Sequence, residues 1–200
     1  MDKDAILLIM LAEAIGLAAM YLLLKRLAQF TKRTLDDVPE FLRPINHEAV
    51  EKLFDADEER ETLAFGNFRR GLRARLDLAR EYMQNLHHNV TIVCQWGETE
   101  WSDMVRHDLE YDEETRKKIL ALHREAITFL VACRVALVKM CFWSLLHFDK
   151  WPVLPLPSVA ALRRPGSVDL LHAYQRVKQA AAELAFIYGE EHSSEILELM

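Results

Sequence analysis

The first apolar feature of the chain is a run from Ala5 to Leu24, interrupted only by Glu13 and Gly16. As a helix, twenty residues at about 1.5 Å each span about 30 Å, which matches the hydrocarbon thickness of a bilayer. A cleaved signal peptide has a basic start, a shorter apolar core and a small-residue cleavage site. This chain opens with Met-Asp-Lys-Asp and passes directly from the run into Lys25 and Arg26. The pattern therefore predicts an uncleaved, single-pass transmembrane anchor.

Basic residues are distributed unevenly around this predicted span. Lys3 precedes it, whereas four basic residues follow it: Lys25, Arg26, Lys32 and Arg33. Because basic residues close to the end of a span remain on the cytoplasmic side, the amino terminus is predicted outside and the rest of the chain in the cytoplasm. The same four residues are the predicted contacts for anionic lipid headgroups.

One face of the predicted span carries small residues beside a carboxyl group. The face consists of Ala12, Glu13, Gly16 and Ala19. An ionised carboxylate near the bilayer centre costs about 3 kcal/mol unless it is paired, and small residues let another helix approach closely. Two interpretations stay open. Glu13 meets a polar group on a partner membrane protein or on a second copy, or it is a protonated residue in a helix that only anchors the chain.

The segment after the span is predicted to be a connector. Residues 34–45 contain Pro39 and Pro44 and show no sustained helical period, which favours a hinge over a continued helix. Asn46 is a predicted cap for a short helix that ends near Phe54, and Asp55 or Asp57 is a predicted cap for the next helix.

Three longer stretches have apolar residues spaced by three and four positions, which is typical of one face of a helix. The first stripe consists of Phe65, Phe68, Leu72, Leu76, Ala79, Met83, Leu86, Val90 and Val93. The second consists of Ile119, Leu122, Ala126, Phe129, Cys133, Ala136, Met140 and Trp143. The third consists of Leu170, Tyr174, Val177, Ala181, Leu184 and Tyr188.

Glycines and acidic residues mark the predicted ends of these three helices. Gly97 is predicted to end or bend the first helix, with residues 98–111 as a separate short piece. Asp112 is a predicted cap for the second helix, and Ser167 or Asp169 for the third. Gly189 is its predicted stop.

Together these elements predict an all-α protein, with one amino-terminal transmembrane helix followed by an antiparallel bundle of about three long helices and some short pieces. The predicted divisions are an anchor with a basic collar (1–33), a hinge with a short helix (34–56), a cytoplasmic bundle (57–189) and a tail (190–200). Residues 126–148 are apolar enough to be considered as a second span. Arg134 and Lys139 oppose that interpretation, because each costs about 3 kcal/mol near the bilayer centre.

Composition excludes several classes of protein. Only 6 glycines among 200 residues, and no alternating strand pattern, count against β folds and glycine-rich dinucleotide-binding folds. A net charge of -6 counts against a general nucleic-acid binder. The basic stretch Arg69–Arg80 is spread around its predicted helix, so a solvated, ion-paired face explains it better. Three widely spaced cysteines form no disulfide framework and fit a reducing compartment.

No residue pattern predicts a metal site or a bound cofactor. His87 and His88 are adjacent, so they point in different directions on a helix, and no Glu-x-x-His step occurs. Asp103 and His107 form a same-face pair, but two ligands are too few and an ordinary ion pair or cap explains them. His123 with Glu110 or Glu125 has the same weakness.

Motifs for covalent chemistry are also absent from the sequence. There is no Gly-x-Ser-x-Gly elbow and no glycine-rich phosphate loop. Cys94 lies near a predicted helix end, where a cation would make it reactive, but a buried, inert thiol is the simpler interpretation.

The sequence thus favours a non-enzymatic membrane-anchored protein that acts as an accessory subunit, scaffold or tether in a membrane protein assembly. The alternative is a membrane-bound helical enzyme or a metal or cofactor carrier, with a site drawn from the scattered residues His87, His88, Asp103, His107 and His123. A membrane-linked sensor is a third hypothesis, although only about four residues lie outside in the predicted orientation.

Overall fold

The computed structural model describes residues 33–55, 65–106, 113–147 and 160–200. Every regular element in these residues is helical, which confirms the predicted all-α class and the packing of several long helices. After a 3-10 turn at Leu35–Asp37, the helices are α1 (Val38–Phe41), α2 (His47–Asp55), α3 (Phe65–Arg106), α4 (Glu113–His147), α5 (Ala160–Arg163), α6 (Leu170–Ala185) and α7 (Glu190–Leu199).

The predicted anchor, residues 5–24, lies outside the described residues, as do its packing residues Ala12, Glu13, Gly16 and Ala19. Among the helices of the described segments, none is long and apolar enough to cross a membrane. That search included α4, which contains most of the stretch considered as a second span. Residues Arg33–Met200 belong to one compact unit.

Helix α4 is antiparallel to α3. Gly97 on α3 lies beside Leu122 on α4, whereas Met83, earlier on α3, has its main-chain oxygen 3.5 Å from Cys133 Sγ, later on α4. Contacts that move backwards along one helix as they move forwards along the other define an antiparallel pair. This is the arrangement that the two sequence stripes predict.

Helix α6 also packs against the buried face of α4, again in the antiparallel sense. Arg176 Nε lies 2.9 Å from Glu125 Oε2, and the rings of Tyr174 and Phe129 are 5.6 Å apart at their centroids. The three helices α3, α4 and α6 therefore form an up-down-up bundle with α4 in the middle.

The predicted apolar stripes form the core between these helices wherever their side chains are described. On α4 all of the stripe from Ile119 to Met140 is buried, and Trp143 packs against the core while partly exposed. On α3 the stripe is buried from Leu76 to Val93 and continues to Trp96, which is fully buried. Core burial of this kind is the main favourable term in folding.

The prediction that the helix ends at Gly97 is wrong, because α3 continues through it to Arg106. A Cβ atom built on Gly97 would lie 3.1 Å from Leu122 Cδ2 and 3.5 Å from His123 Nε2. The glycine therefore allows α4 to approach α3 closely, within a helix that continues on both sides of it. Residues 98–106 are part of this long helix rather than a separate piece.

Filling this close approach is expected to destabilise the bundle. Gly97→Leu should lower the free energy of unfolding by about 1–3 kcal/mol, because the added side chain must push α4 away from α3. Urea titration followed by circular dichroism measures the change. Ala74→Leu, at an exposed position of the same helix, is the control and should leave stability within about 0.5 kcal/mol. Equal stabilities for both variants would contradict a role for Gly97 in helix packing.

The end of α6 also differs from the prediction. Asp169 caps its start, as predicted, by accepting hydrogen bonds from the main-chain N–H groups of Leu171 and His172. The helix ends at Ala185, four residues before Gly189, so Tyr188 lies in a turn and is exposed instead of belonging to the apolar stripe. Gly189, with φ +150°, then begins α7.

The segments on either side of the bundle pack onto it. In the predicted connector, Val38 of α1 is fully buried, and Asn46 caps α2 as predicted, accepting a 3.0 Å hydrogen bond from Ala49 N. At the other end, Ile196 of α7 and Met200 are buried in the same core. Residues 33–55, here called the N-terminal segment, and residues 190–200 both help to close this unit.

Candidate functional site

The N-terminal segment is attached to α3 at its first residue. The main-chain N–H of Arg33 donates to Thr99 Oγ1 at 3.1 Å, and its Nε donates to Gln95 Oε1 at 2.7 Å. Its guanidinium carbon lies 3.9 Å from the centroid of the Phe41 ring, a cation–π contact. Arg33 was predicted to contact lipid, and the structure places its side chain against α3 and α1. Its companions Lys25, Arg26 and Lys32 lie outside the described residues.

A second attachment of the N-terminal segment is a buried amide. Asn89, on α3, is 0% exposed. Its Oδ1 accepts from Arg43 N at 2.9 Å, and its Nδ2 donates to Arg43 O at 2.8 Å. One side chain thus satisfies both main-chain groups of Arg43, as another stretch of backbone would. A further contact of 3.4 Å joins Asn89 Nδ2 to Tyr174 Oη.

Tyr174 extends this polar cluster to the last residue described. Its hydroxyl donates to the main-chain oxygen of Met200 at 2.9 Å, and His47 Nε2 lies 2.7 Å from the same oxygen. Because that oxygen can only accept, His47 is the donor. Burial raises the pKa of Tyr174, against the effect of the Asn89 hydrogen bond, so the phenol stays neutral. The groups named here hydrogen-bond to one another. The cluster therefore has a structural role, because it holds α3, α6 and both flanking segments together.

The candidate histidines on α3 do not converge. His88 Nε2 is 3.0 Å from Phe41 O, whereas His87 Nε2 is 3.3 Å from Arg134 Nε on α4. The prediction that these neighbours point in different directions is confirmed. Each contacts a different element, so they do not form a shared ligand pair.

His123 faces Glu98 across the α3–α4 interface, with 3.5 Å between Nε2 and Oε2. Burial lowers the pKa of His123 and the Glu98 carboxylate partly opposes this, so the imidazole is favoured in its neutral form. Glu125, considered as its partner in the sequence, instead accepts from Arg124 and Arg176. Glu110 lies outside the described residues.

The predicted same-face pair cannot be assembled from the described residues. Asp103 lies near the end of α3 and is partly exposed, whereas His107 lies outside the described residues. In the segments that the structure describes, no three His, Cys, Asp or Glu side chains are placed to hold a metal ion.

The two buried thiols are poor nucleophiles. Burial raises the pKa of Cys94 to about 11, with a further contribution from the Glu98 carboxylate. Burial also raises the pKa of Cys133 to about 12, although the nearby Arg134 opposes it. Both thiols are therefore protonated at neutral pH, and the thiolate is the reactive form.

A shallow groove of about 270 Å³ lies between α4, α6 and α7. Its lining includes the charged residues Lys118 and Glu183 and the apolar residues Phe186 and Leu197. Lys118 is already paired with Glu114 at 3.0 Å. The groove has mixed, open walls and no convergent set of catalytic groups.

The most unusual surface is on the outer side of α4. Four β-branched residues at spacings of four, four and three have exposed fractions of 44–68%, and we call them the outer stripe: Ile127, Val131, Val135 and Val138. The opposite side of the same helix lies in the core, so α4 is apolar on two faces. A helix that is apolar all round is normally buried. The outer stripe is thus a helix face suited to packing that no described residue covers.

The sequence interpretation did not find this surface, although its signal was present. The sequence pattern was used to identify one apolar face of α4, the face that is buried in the core. The residues of the outer stripe also recur at helical spacing, and a second apolar face on one helix indicates a second packing partner.

Comparison with models of known protein families, with curated proteins and with solved structures finds no match for this chain. Any functional assignment therefore rests on the residues and contacts described above.

Proposed function

We propose that this chain is a non-enzymatic, single-pass membrane protein whose helical bundle binds another protein, as an accessory subunit, scaffold or tether in a membrane assembly. The observation that carries the proposal is the outer stripe of α4. Exposed apolar surface that is contiguous and regularly spaced is typical of protein–protein interaction sites. In this chain it occurs on the central helix of a bundle that has already formed its own core.

The membrane part of the proposal is supported by the sequence. Residues 5–24 have the length and the apolar character of a span, and the basic collar that follows favours a cytoplasmic bundle with the amino terminus outside. Glu13 and Gly16 give the span a face suited to another helix. An anchor and an interaction surface in one chain are what an accessory subunit requires.

Purification tests this proposal. Tagged full-length protein, extracted from membranes with a gentle detergent and no chelator, should appear in native mass spectrometry as a stoichiometric complex with another membrane protein. The double substitution Glu13→Leu and Gly16→Leu should reduce recovery of that partner, because it removes the polar group and the small residue from the predicted packing face. Ala18→Leu, on the opposite side of the predicted span, is the matched control.

Other outcomes would overturn the proposal. Full-length protein that is found outside the membrane fraction would exclude the anchor. A monomer or homo-oligomer that carries a stoichiometric metal or small molecule would favour the alternative, an enzyme or carrier.

A further inference from the structure

We propose that the outer stripe binds one helix of a partner protein, and that this helix has an apolar face flanked by acidic side chains. The inference rests on the proposed function and names the chemistry of the partner. At about 1.5 Å per residue, the stripe from Ile127 to Val138 is about 17 Å long. Its spacing of four, four and three produces a single line of side chains, which is the form of a helix–helix packing seam.

The charges around the outer stripe are basic. At 100° per residue, Arg124 falls within the stripe, and Arg134 and Lys139 fall beside it. The sequence contains no Asp or Glu from Ala126 to His147. The nearest acid in the sequence, Glu125, accepts from Arg124 at 3.0 Å and from Arg176 of α6 at 2.9 Å, so a single carboxylate is shared by two arginines and the net charge of this region stays positive. A helix that docks on this face therefore meets positive potential on its flanks, and acidic flanks complement that potential.

The same charges argue against a second copy of this chain as the occupant. Two outer stripes packed together bring Arg124, Arg134 and Lys139 of one copy to the same helix surface in the other copy. That surface carries no carboxylate between residues 126 and 147, in either a parallel or an antiparallel pairing. Like charges across an interface cost several kcal/mol.

The shape of the side chains favours a protein over a lipid surface. Interfacial helices use aromatic and leucine side chains that enter the headgroup region. Of the five large apolar side chains exposed on this side of α4, one is Leu120 and the other four, the outer stripe, are Ile and Val, which have few rotamers and lose little conformational freedom when they pack. Such side chains pack better against the ordered surface of a protein helix than against a fluid lipid surface.

Site-specific photo-crosslinking in native membranes tests the inference. Full-length protein with a photo-reactive amino acid at Val131 should cross-link to one protein segment. Sequencing of the cross-linked peptide should show apolar residues three and four apart with Asp or Glu beside them. The same probe at Glu114, which is 67% exposed on the same helix and about 100° around it from Val131, should give no such product. A neutral or basic segment, a lipid adduct, a product with a second copy of this chain, or no product would overturn the inference.

Charge substitutions provide the second readout. Arg124→Glu together with Lys139→Glu should lower the cross-link yield at Val131 on the order of tenfold, because acidic flanks are then repelled. The charge-conserving pair Arg124→Lys and Lys139→Arg should keep the yield. An unchanged yield after charge reversal would overturn the inference. If a membrane partner co-purifies but does not cross-link through the stripe, only this inference fails; if none co-purifies, the proposed function fails.

Discussion

Replacing Phe129 by alanine is expected to lower the free energy of unfolding by about 3–5 kcal/mol. Phe129 is fully buried on α4, and its ring lies 5.6 Å from that of Tyr174 on α6. The substitution removes a large apolar side chain from the interface between the two helices and leaves a cavity that the bundle can only partly close. A loss of this size is a large part of the total stability of an ordinary domain.

Phe186→Ala is the matched control for this prediction. Phe186 is the same residue type but is 58% exposed in the turn after α6, so the change should stay within about 0.5 kcal/mol. Urea titration of both full-length variants, with circular dichroism and tryptophan fluorescence as independent probes, measures the two losses. Similar losses for the two phenylalanines would show that the α4–α6 interface is not the core of this unit.

Replacing Asn89 by leucine is expected to cost about 2–4 kcal/mol, even though the side chains have similar size. The leucine leaves the main-chain N–H and C=O of Arg43 without the two bonds of 2.9 and 2.8 Å that Asn89 provides. A polar group that loses its partner costs about 1–3 kcal/mol where water cannot replace the bond. The N-terminal segment should therefore loosen first, which limited proteolysis within residues 33–55 detects.

Asn85→Leu is the matched control, because it makes the same substitution at another position of α3. Asn85 also contacts Arg43, accepting from its side-chain Nη1 at 2.8 Å, but this bond is exposed to solvent. Water replaces it, so the substitution should change stability by less than about 0.5 kcal/mol. Faster proteolysis of Asn89→Leu with an unchanged global midpoint would still support a local role. No change in either measurement would refute it.

The sequence predicted those parts of the fold that depend on local periodicity. Spacings of three and four from Ile119 to Met140 identified the inner face of α4, because a helix repeats every 3.6 residues whatever surrounds it. Asn46 and Asp169 were recognised as caps for the same reason, since a capping side chain bonds to main-chain groups only two or three residues away. These properties are present in the chain before any tertiary contact forms.

The failures of sequence reasoning involve distant neighbours. Gly97 was predicted to end or bend its helix because glycine is a weak helix former, whereas its role in packing depends on Leu122 from another helix. No role was predicted for Asn89 from the sequence, because its partners Arg43 and Tyr174 are 46 and 85 positions away. The outer stripe was missed for a different reason. It is visible in the sequence, but only the folded bundle shows which of two apolar faces is left uncovered.

The polar cluster around Tyr174 also has a consequence for the order of folding. The hydrogen bond between His47 and Met200 joins positions 153 apart in the chain, and its partner bond from Tyr174 spans only 26. Closing a long loop costs entropy before the contact returns any energy, whereas hairpins of neighbouring helices form from local contacts. We therefore expect the Tyr174 bond, within the α6–α7 pair, to form before the bond between His47 and Met200. The bond between His47 and Met200 should then be among the last contacts of this unit to form, because it joins residues 33–55 to the carboxyl-terminal residue after the helices between them have packed.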